Sequence, residues 1–288
     1  TAEVVSILNA TPIFVDVEEN TFNIDPEKLR EAILYSKKIG LIPKLIIPVD
    51  LFGQPACYKD INQIADEFSL NVIADAAQSF GGMQGNNPVG SLAHVTSTSF
   101  FPSKPLGCYG DGGAILTDDK VLANTLRSLR SHGSGKNKYD NVRIGVNSRL
   151  DTIQAAVLIE KIKILKIEIE KRNKIAKRYS SEINQNIISP FIKDGNYSAW
   201  AQYTIITTNR DEFSKYLNGN GIPTVVYYPK PLHLQSAYSK FPRYPAELKV
   251  SEYLSKSVLS LPMHPYLSSE QQEYVIGSIN KYSKVNKS

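Results

Sequence analysis

Three polar side chains stand out because each follows a short apolar run that reads as a buried strand. Asp75 and Gln78 close the stretch Asn71-Val72-Ile73-Ala74-Asp75-Ala76-Ala77-Gln78, and Lys104 follows the run His94–Phe100 in Ser99-Phe100-Phe101-Pro102-Ser103-Lys104. In open parallel sheets, ligands sit beyond the carboxyl ends of the strands, so these are positions where chemistry would be placed. A lysine beside an aromatic, proline-containing turn is a candidate desolvated amine, the form in which lysine is a nucleophile. Singly, each signal is weak, because a strand-end aspartate more often caps a helix and most lysines are exposed. The pair is sharper. A lysine that forms a Schiff base and a carboxylate that keeps a pyridine nitrogen protonated are what pyridoxal phosphate needs to act as an electron sink. Ser99 is placed to offer a hydroxyl to the cofactor phosphate.

Such a site requires a sheet, and the first 120 residues supply one. Short apolar runs at 12–16, 44–49, 71–75, 94–100 and 113–117 alternate with amphipathic helical patterns. Asp25 offers an N-cap with Pro26 at the first helical position, and 58–68 places Ile61, Ile64, Ala65 and Phe68 on one face. This alternation predicts an α/β fold with a mostly parallel sheet and right-handed crossovers. After Arg149 the pattern changes. A long helical segment runs from Asp151 to about Asn184, with Leu158, Ile162, Leu165 and Ile169 at helical spacing. Expected strands at 203–207 and 224–228 and a final helix at 270–282 follow. The expected division is a large domain over 1–185, including the long helix, and a smaller α+β domain over 186–288.

The chain has 288 residues, a net charge of +5 and 42% hydrophobic residues, enough apolar content for a real core and against disorder. The charge is too mild, and too evenly spread, to predict nucleic-acid binding; the basic stretch 161–178 reads as a solvated helix face. No apolar run reaches membrane-spanning length, so no membrane association is expected. Cys57 and Cys108 make no disulfide framework or zinc spacing, which favours a reduced, cytoplasmic setting.

Four segments, taken together, resemble the successive motifs of the DegT/DnrJ/EryC1/StrS sugar aminotransferases. They are Asp75-Ala76-Ala77-Gln78-Ser79, Ser99-Phe100-Phe101-Pro102-Ser103-Lys104, Gly110-Asp111-Gly112-Gly113-Ala114 and Gly145-Val146-Asn147-Ser148-Arg149-Leu150-Asp151. The resemblance implies a fold type I, aspartate aminotransferase-like transferase with pyridoxal 5′-phosphate as cofactor. Lys104 would be the Schiff-base lysine and proton shuttle, Asp75 would pair with the pyridine nitrogen, Gln78 would lie against the ring hydroxyl, and Ser99 would hold the phosphate. Asn147 would reach the phosphate of the second subunit in a homodimer with shared sites. Arg149 and His264 would contact the sugar nucleotide, although a salt bridge opening the long helix and a packed histidine beside Pro265 are the structural alternatives. His94, His132 and His233 read as structural, and the glycines at 107, 110, 112 and 113 as tight turns beside the lysine.

Within the family, Phe100 to Gly110 and Leu261 to Leu267 are most similar to members that aminate UDP-2-acetamido-2-deoxy-3-oxo-glucuronate for bacterial surface polysaccharide, with glutamate as donor. An aminotransferase for a 4-keto-6-deoxy sugar nucleotide, and a non-catalytic regulatory or dimerising protein on the same fold, are the alternatives. The family's dehydratases replace the lysine by histidine, and Lys104 argues against that branch. The chain opens at Thr1 in what reads as the interior of a helix. The resemblance implies a further N-terminal part bearing a phosphate-binding Gly-Thr loop and a ring-stacking aromatic. Without it, weak cofactor binding, reduced stability and an inactive chain are expected.

Overall fold

The computed structural model describes residues 1–137 and 139–285. Its central sheet has four strands in the order Leu45–Ile46, Asn71–Asp75, Val95–Ser99 and Gly113–Leu116. The first three are parallel and the last is antiparallel to its neighbour. The helix Tyr58–Phe68 makes the first crossover, burying Tyr58, Ile61, Ile64 and Ala65. These residues pack with Leu29 and Ile33 of the Pro26–Lys38 helix and with Val72, Ala74 and Ala76 from the sheet. Asp25 caps Pro26–Lys38, its carboxylate accepting the N–H groups of Glu27 at 2.8 Å and Lys28 at 3.2 Å. The cap satisfies donors that the first helical turn leaves without partners.

Two expected strands differ. The segment 12–16 forms only Phe14–Val15, which pairs in parallel with Arg243–Tyr244 and stays out of the central sheet. The segment 224–228 contributes a bridge between Val225 and Ser260; Pro223 and Pro229 flank it, and proline has no N–H to extend a ladder. The helices Lys120–Leu129, Arg210–Gly219 and Lys249–Ser257 lie outside the sequence expectation.

The long helix, Thr152–Glu182, has 31 residues, a rod of about 46 Å at the α-helical rise. Its stretch 158–169 packs Leu158, Leu165 and Ile169 with Leu106 and Cys108, while Ile162 is exposed. Its second half gives Ile175, Ala176 and Tyr179 to a cluster with Tyr203, Ile205, Leu259 and Ile279. The antiparallel strands Tyr203–Ile206 and Val258–Leu261 are buried at every residue, and the hydroxyls of their polar members, Thr204 and Ser260, hydrogen-bond to each other at 2.8 Å. A further cluster joins Phe22 and Phe52 to Ile206, Leu254 and Val258, tying the sheet-end loop to the C-terminal region.

Candidate active site

Asp75 is the last residue of its strand, and Ser99 ends the neighbouring parallel one. The segments that follow both therefore leave the same end of the sheet. They are stitched there, the Ala76 N–H donating to the Ser97 carbonyl at 2.8 Å and the Thr98 hydroxyl to the Ala76 carbonyl at 3.3 Å. Asp75 is half-buried. Its Oδ1 accepts the Ala77 N–H at 3.2 Å, and its Oδ2 accepts the Thr1 hydroxyl at 2.5 Å. It thus caps a turn and no helix. Gln78 is buried, and its Oε1 accepts the Phe52 N–H at 2.6 Å.

The loop after Ser99 folds back on itself. The Phe100 N–H donates to the Gly112 carbonyl and the Cys108 N–H to the Phe100 carbonyl, both at 2.7 Å, and the Lys104 N–H donates to the Phe101 carbonyl at 2.9 Å. The buried Cys108 thiol donates to the carbonyls of Phe100 and Gly110. A Cβ added at Gly107 would lie 2.6 Å from the Pro102 carbonyl oxygen and 2.7 Å from that of Phe101, so glycine is what lets the loop close. Lys104 sits half-buried in this turn, and the Ser99 hydroxyl oxygen accepts the Phe101 N–H at 3.2 Å.

The remaining sequence candidates lie elsewhere. Asn147 and Arg149 are on an exposed arm between the Lys120–Leu129 helix and the long helix, anchored by a bridge between Ser131 and Asn147. Ile144 is 94% exposed on the same arm. Among the described residues, Arg149 makes no ion pair, so the helix-opening salt bridge is not found, and neither residue hydrogen-bonds to Asp75, Gln78, Ser99 or Lys104. His264 is exposed after the Val258–Leu261 strand; partial burial, and then the Arg172 charge, lower its pKa from 6.5. Arg172 on the long helix donates to the carbonyls of Trp200 at 2.9 Å and Met263 at 3.3 Å, fixing the backbone before His264. The buried His233 pairs with Glu252 at 3.0 Å.

Sequence reasoning passed over three groups at the sheet end. Thr1 is one, with its hydroxyl on Asp75. Tyr228 is another: partial burial and Tyr227 push its phenol up, while a hydrogen bond with Gln78 opposes the shift and Asp75 adds to it. Asp50 is the third, fully buried beside Asp75. It follows a strand just as Asp75 does, so the same strand-end rule would have found it.

A lysine-bearing loop and a carboxylate at neighbouring ends of a largely parallel sheet, with a long helix leading into a C-terminal α+β region, define a fold type I pyridoxal-phosphate enzyme. Residues 1–280 match the model of the DegT/DnrJ/EryC1/StrS aminotransferase family, and the chain belongs to that family. It is a sugar aminotransferase, and its cofactor is pyridoxal 5′-phosphate. It is 44% identical over 280 residues to the UDP-2-acetamido-2-deoxy-3-oxo-D-glucuronate aminotransferase of Pseudomonas aeruginosa, covering 97% of this chain and 75% of that one. It is 42% identical to a pleiotropic regulatory protein of Geobacillus stearothermophilus, covering 98% of this chain and 75% of the relative. Among solved structures, it is similar to a DegT/DnrJ/EryC1/StrS aminotransferase from Brucella abortus, with a TM-score of 0.96 and 53% identity over 98% of this chain and 76% of that one. No described helix is long and apolar enough to cross a membrane.

Proposed function

We propose that this enzyme moves an amino group from glutamate to a keto-sugar nucleotide, with UDP-2-acetamido-2-deoxy-3-oxo-glucuronate as acceptor, in the supply of surface polysaccharide precursors. The observation that carries this reading is the convergence of Asp75, Gln78, Ser99 and Lys104 on one sheet end. The similarity to the P. aeruginosa enzyme supports the choice of acceptor.

The donor set fits pyridoxal phosphate. A half-buried carboxylate, a buried amide, a hydroxyl and an amine on a glycine-closed turn offer partners for the ring nitrogen, ring hydroxyl, phosphate and aldehyde carbon. When bound, the cofactor supplies the electron sink next to the reacting carbon. The chain's own residues do the rest. Lys104 would hold the cofactor until the donor amine takes its place, and would then carry the proton from the donor α-carbon to the cofactor. In the return half it would take that proton back from the cofactor and deliver it to the sugar carbon being aminated. Asp75 keeps the pyridine nitrogen protonated throughout. Gln78 and Ser99 hold the ring and the phosphate in register with Lys104.

Asn147 on its exposed arm serves the phosphate of a second copy of the chain, so the sites are shared in a homodimer. The exposed apolar residues Ile144, Val146 and Ile153 along and beside this arm support that placement. Arg149 and His264 contact the sugar nucleotide, His264 as a neutral imidazole. The two functional units are residues 1–185, with the cofactor site and the long helix, and residues 186–288.

Turnover of a panel of keto-sugar nucleotides, with glutamate and other amino acids as donors, tests the reading. The 3-oxo-glucuronate acceptor is expected to exceed 4-keto-6-deoxy acceptors by about a hundredfold in kcat/KM, since a site built for a polar substituent rejects the analogue lacking it. Faster turnover of a 4-keto-6-deoxy sugar would replace the acceptor. Cofactor binding with no turnover of any acceptor would favour a regulatory protein.

A further inference from the structure

One buried carboxylate beneath the sheet end has no part in the roles above. Asp50 follows Val49, which bridges Asp75, and its N–H donates to the Asp75 carbonyl at 3.0 Å. Its Oδ2 accepts the Ser79 hydroxyl at 2.6 Å; its Oδ1 accepts the Ala56 N–H at 2.9 Å and the Tyr58 hydroxyl at 2.8 Å. Every one of these donors is neutral, and among the described residues no cation pairs with it. A buried carboxylate in such company costs stability, and a neutral side chain of similar size is often as good or better. Burial lifts this carboxyl from 3.8 to about 6 even though the three hydrogen bonds oppose the shift.

What the cost secures is geometry. The two segments that Asp50 joins are the turn 75–79, which carries Asp75 and Gln78, and the loop 50–56. That loop holds Phe52 in the left-handed region, at φ 62°, with its N–H on the Gln78 Oε1. Ser79 fixes the far end of the turn, the Asp50 N–H fixes its start, and the loop closed by the Ala56 N–H grips the Gln78 side chain from the side.

We propose that Asp50 is the positioning residue of the cofactor site, setting the aim of Asp75 and Gln78 through Ser79 and the 50–56 loop. The inference rests on the reading of Asp75 and Gln78 as the groups that hold the cofactor ring. Its test uses the enzyme stripped of cofactor and titrated with pyridoxal phosphate, reading the dissociation constant, the visible absorption band and the melting temperature. Ser79→Ala is expected to raise the dissociation constant at least about tenfold and to move the band, because it leaves Oδ2 unpaired. Ile279→Val, a truncation in the C-terminal cluster and remote from the turn, lowers the melting temperature and leaves affinity within about twofold. Asp50→Ala, where it folds, loses as much affinity as Ser79→Ala. Asp50→Asn stays within about threefold, since its amide can donate to Ser79 while its oxygen accepts from Ala56 and Tyr58. Wild-type affinity and an unmoved band in Ser79→Ala would overturn the proposal. Asp75→Asn separates the two levels. If it weakens binding and Ser79→Ala does not, the positioning role alone falls. If Asp75→Asn also binds like wild type, the ring-holding reading falls and takes the positioning role with it.

Discussion

The sheet end around Asp75 and the arm around Asn147 are built on opposite terms. At the sheet end, almost every polar group is spoken for: Asp75 by Ala77 and Thr1, Gln78 by Phe52, Asp50 by Ser79, Ala56 and Tyr58. The arm from Ser131 to Arg149 is closed by backbone bridges, yet it presents Ile144, Val146, Asn147 and Arg149 to solvent. The first arrangement fixes side chains before any ligand arrives, which is how a site avoids reorganisation during reaction. The second fixes a backbone and leaves its side chains for a partner to use. The difference separates the residues proposed to act within their own chain from those proposed to act across a dimer.

The strongest blow to this division falls on Lys104. Lys104→Ala in the cofactor-loaded enzyme is expected to cut transamination by more than about a thousandfold, as the proton carrier is lost. Borohydride treatment of the wild type should fix the cofactor to the peptide containing Lys104; fixation on Lys120 would move the site off the sheet end.

Asp75→Asn comes next. The amide keeps the turn contacts but cannot hold the ring proton, and a fall in kcat of about a hundredfold or more is expected with the melting temperature little changed. Activity within threefold of wild type (about 0.65 kcal/mol of barrier) would remove Asp75 from that role.

The arm is tested by mixing. Lys104→Ala and Asn147→Asp are each expected to be nearly inactive, the latter because a carboxylate would repel the phosphate. Unfolded together and refolded, they pair at random, and about half the dimers are heterodimers. In those, one of the two sites combines wild-type Lys104 with wild-type Asn147, so about a quarter of wild-type activity returns. No recovery, with heterodimers confirmed by mass, would place Asn147 in its own subunit's site.

The last effect leaves activity aside and concerns stability alone. Asp50 sits near pKa 6 in the fold against an ordinary 3.8, so the folded chain holds this proton more tightly than the unfolded one. The stability it contributes is present at low pH and lost as pH rises from about 4 through about 6, by up to about 3 kcal/mol. Denaturant titrations of Asp50→Asn should lack this component, and the difference between variant and wild type should widen over that window. A constant difference across pH 4–7 would mean the carboxylate is not desolvated as described.

Legibility in the sequence followed the same line between local and remote causes. Asp25-Pro26 and the apolar face of Tyr58–Phe68 are local signals, and both helices form where the signals stand. The strand ends carrying Asp75 and Ser99 were legible because period and turn residues mark them. The pairing of Phe14–Val15 with Arg243–Tyr244 depends on residues more than 200 positions away, and no local pattern encodes it. The helix Lys120–Leu129 went unread even though Asp119 accepts the Val121 and Leu122 N–H groups as a cap; here the signal was present and not used. Asp50 likewise follows an expected strand, 44–49, and was not read as a strand-end carboxylate. Its significance lies in neutral donors from three separate positions, which only the folded chain assembles.

The long helix carries one more consequence, for how the molecule melts. Leu158, Leu165 and Ile169 support the loop that bears Lys104, and Ile175, Ala176 and Tyr179 belong to the C-terminal cluster, yet all six lie on one uninterrupted helix. Fraying the second half of that rod removes hydrogen bonds and packing from the first, so the cluster around Tyr203 cannot open as a separate unit. The lysine loop therefore shares a cooperative unit with strands a hundred residues away, and its protection against hydrogen exchange is set by their stability as much as by its own bonds.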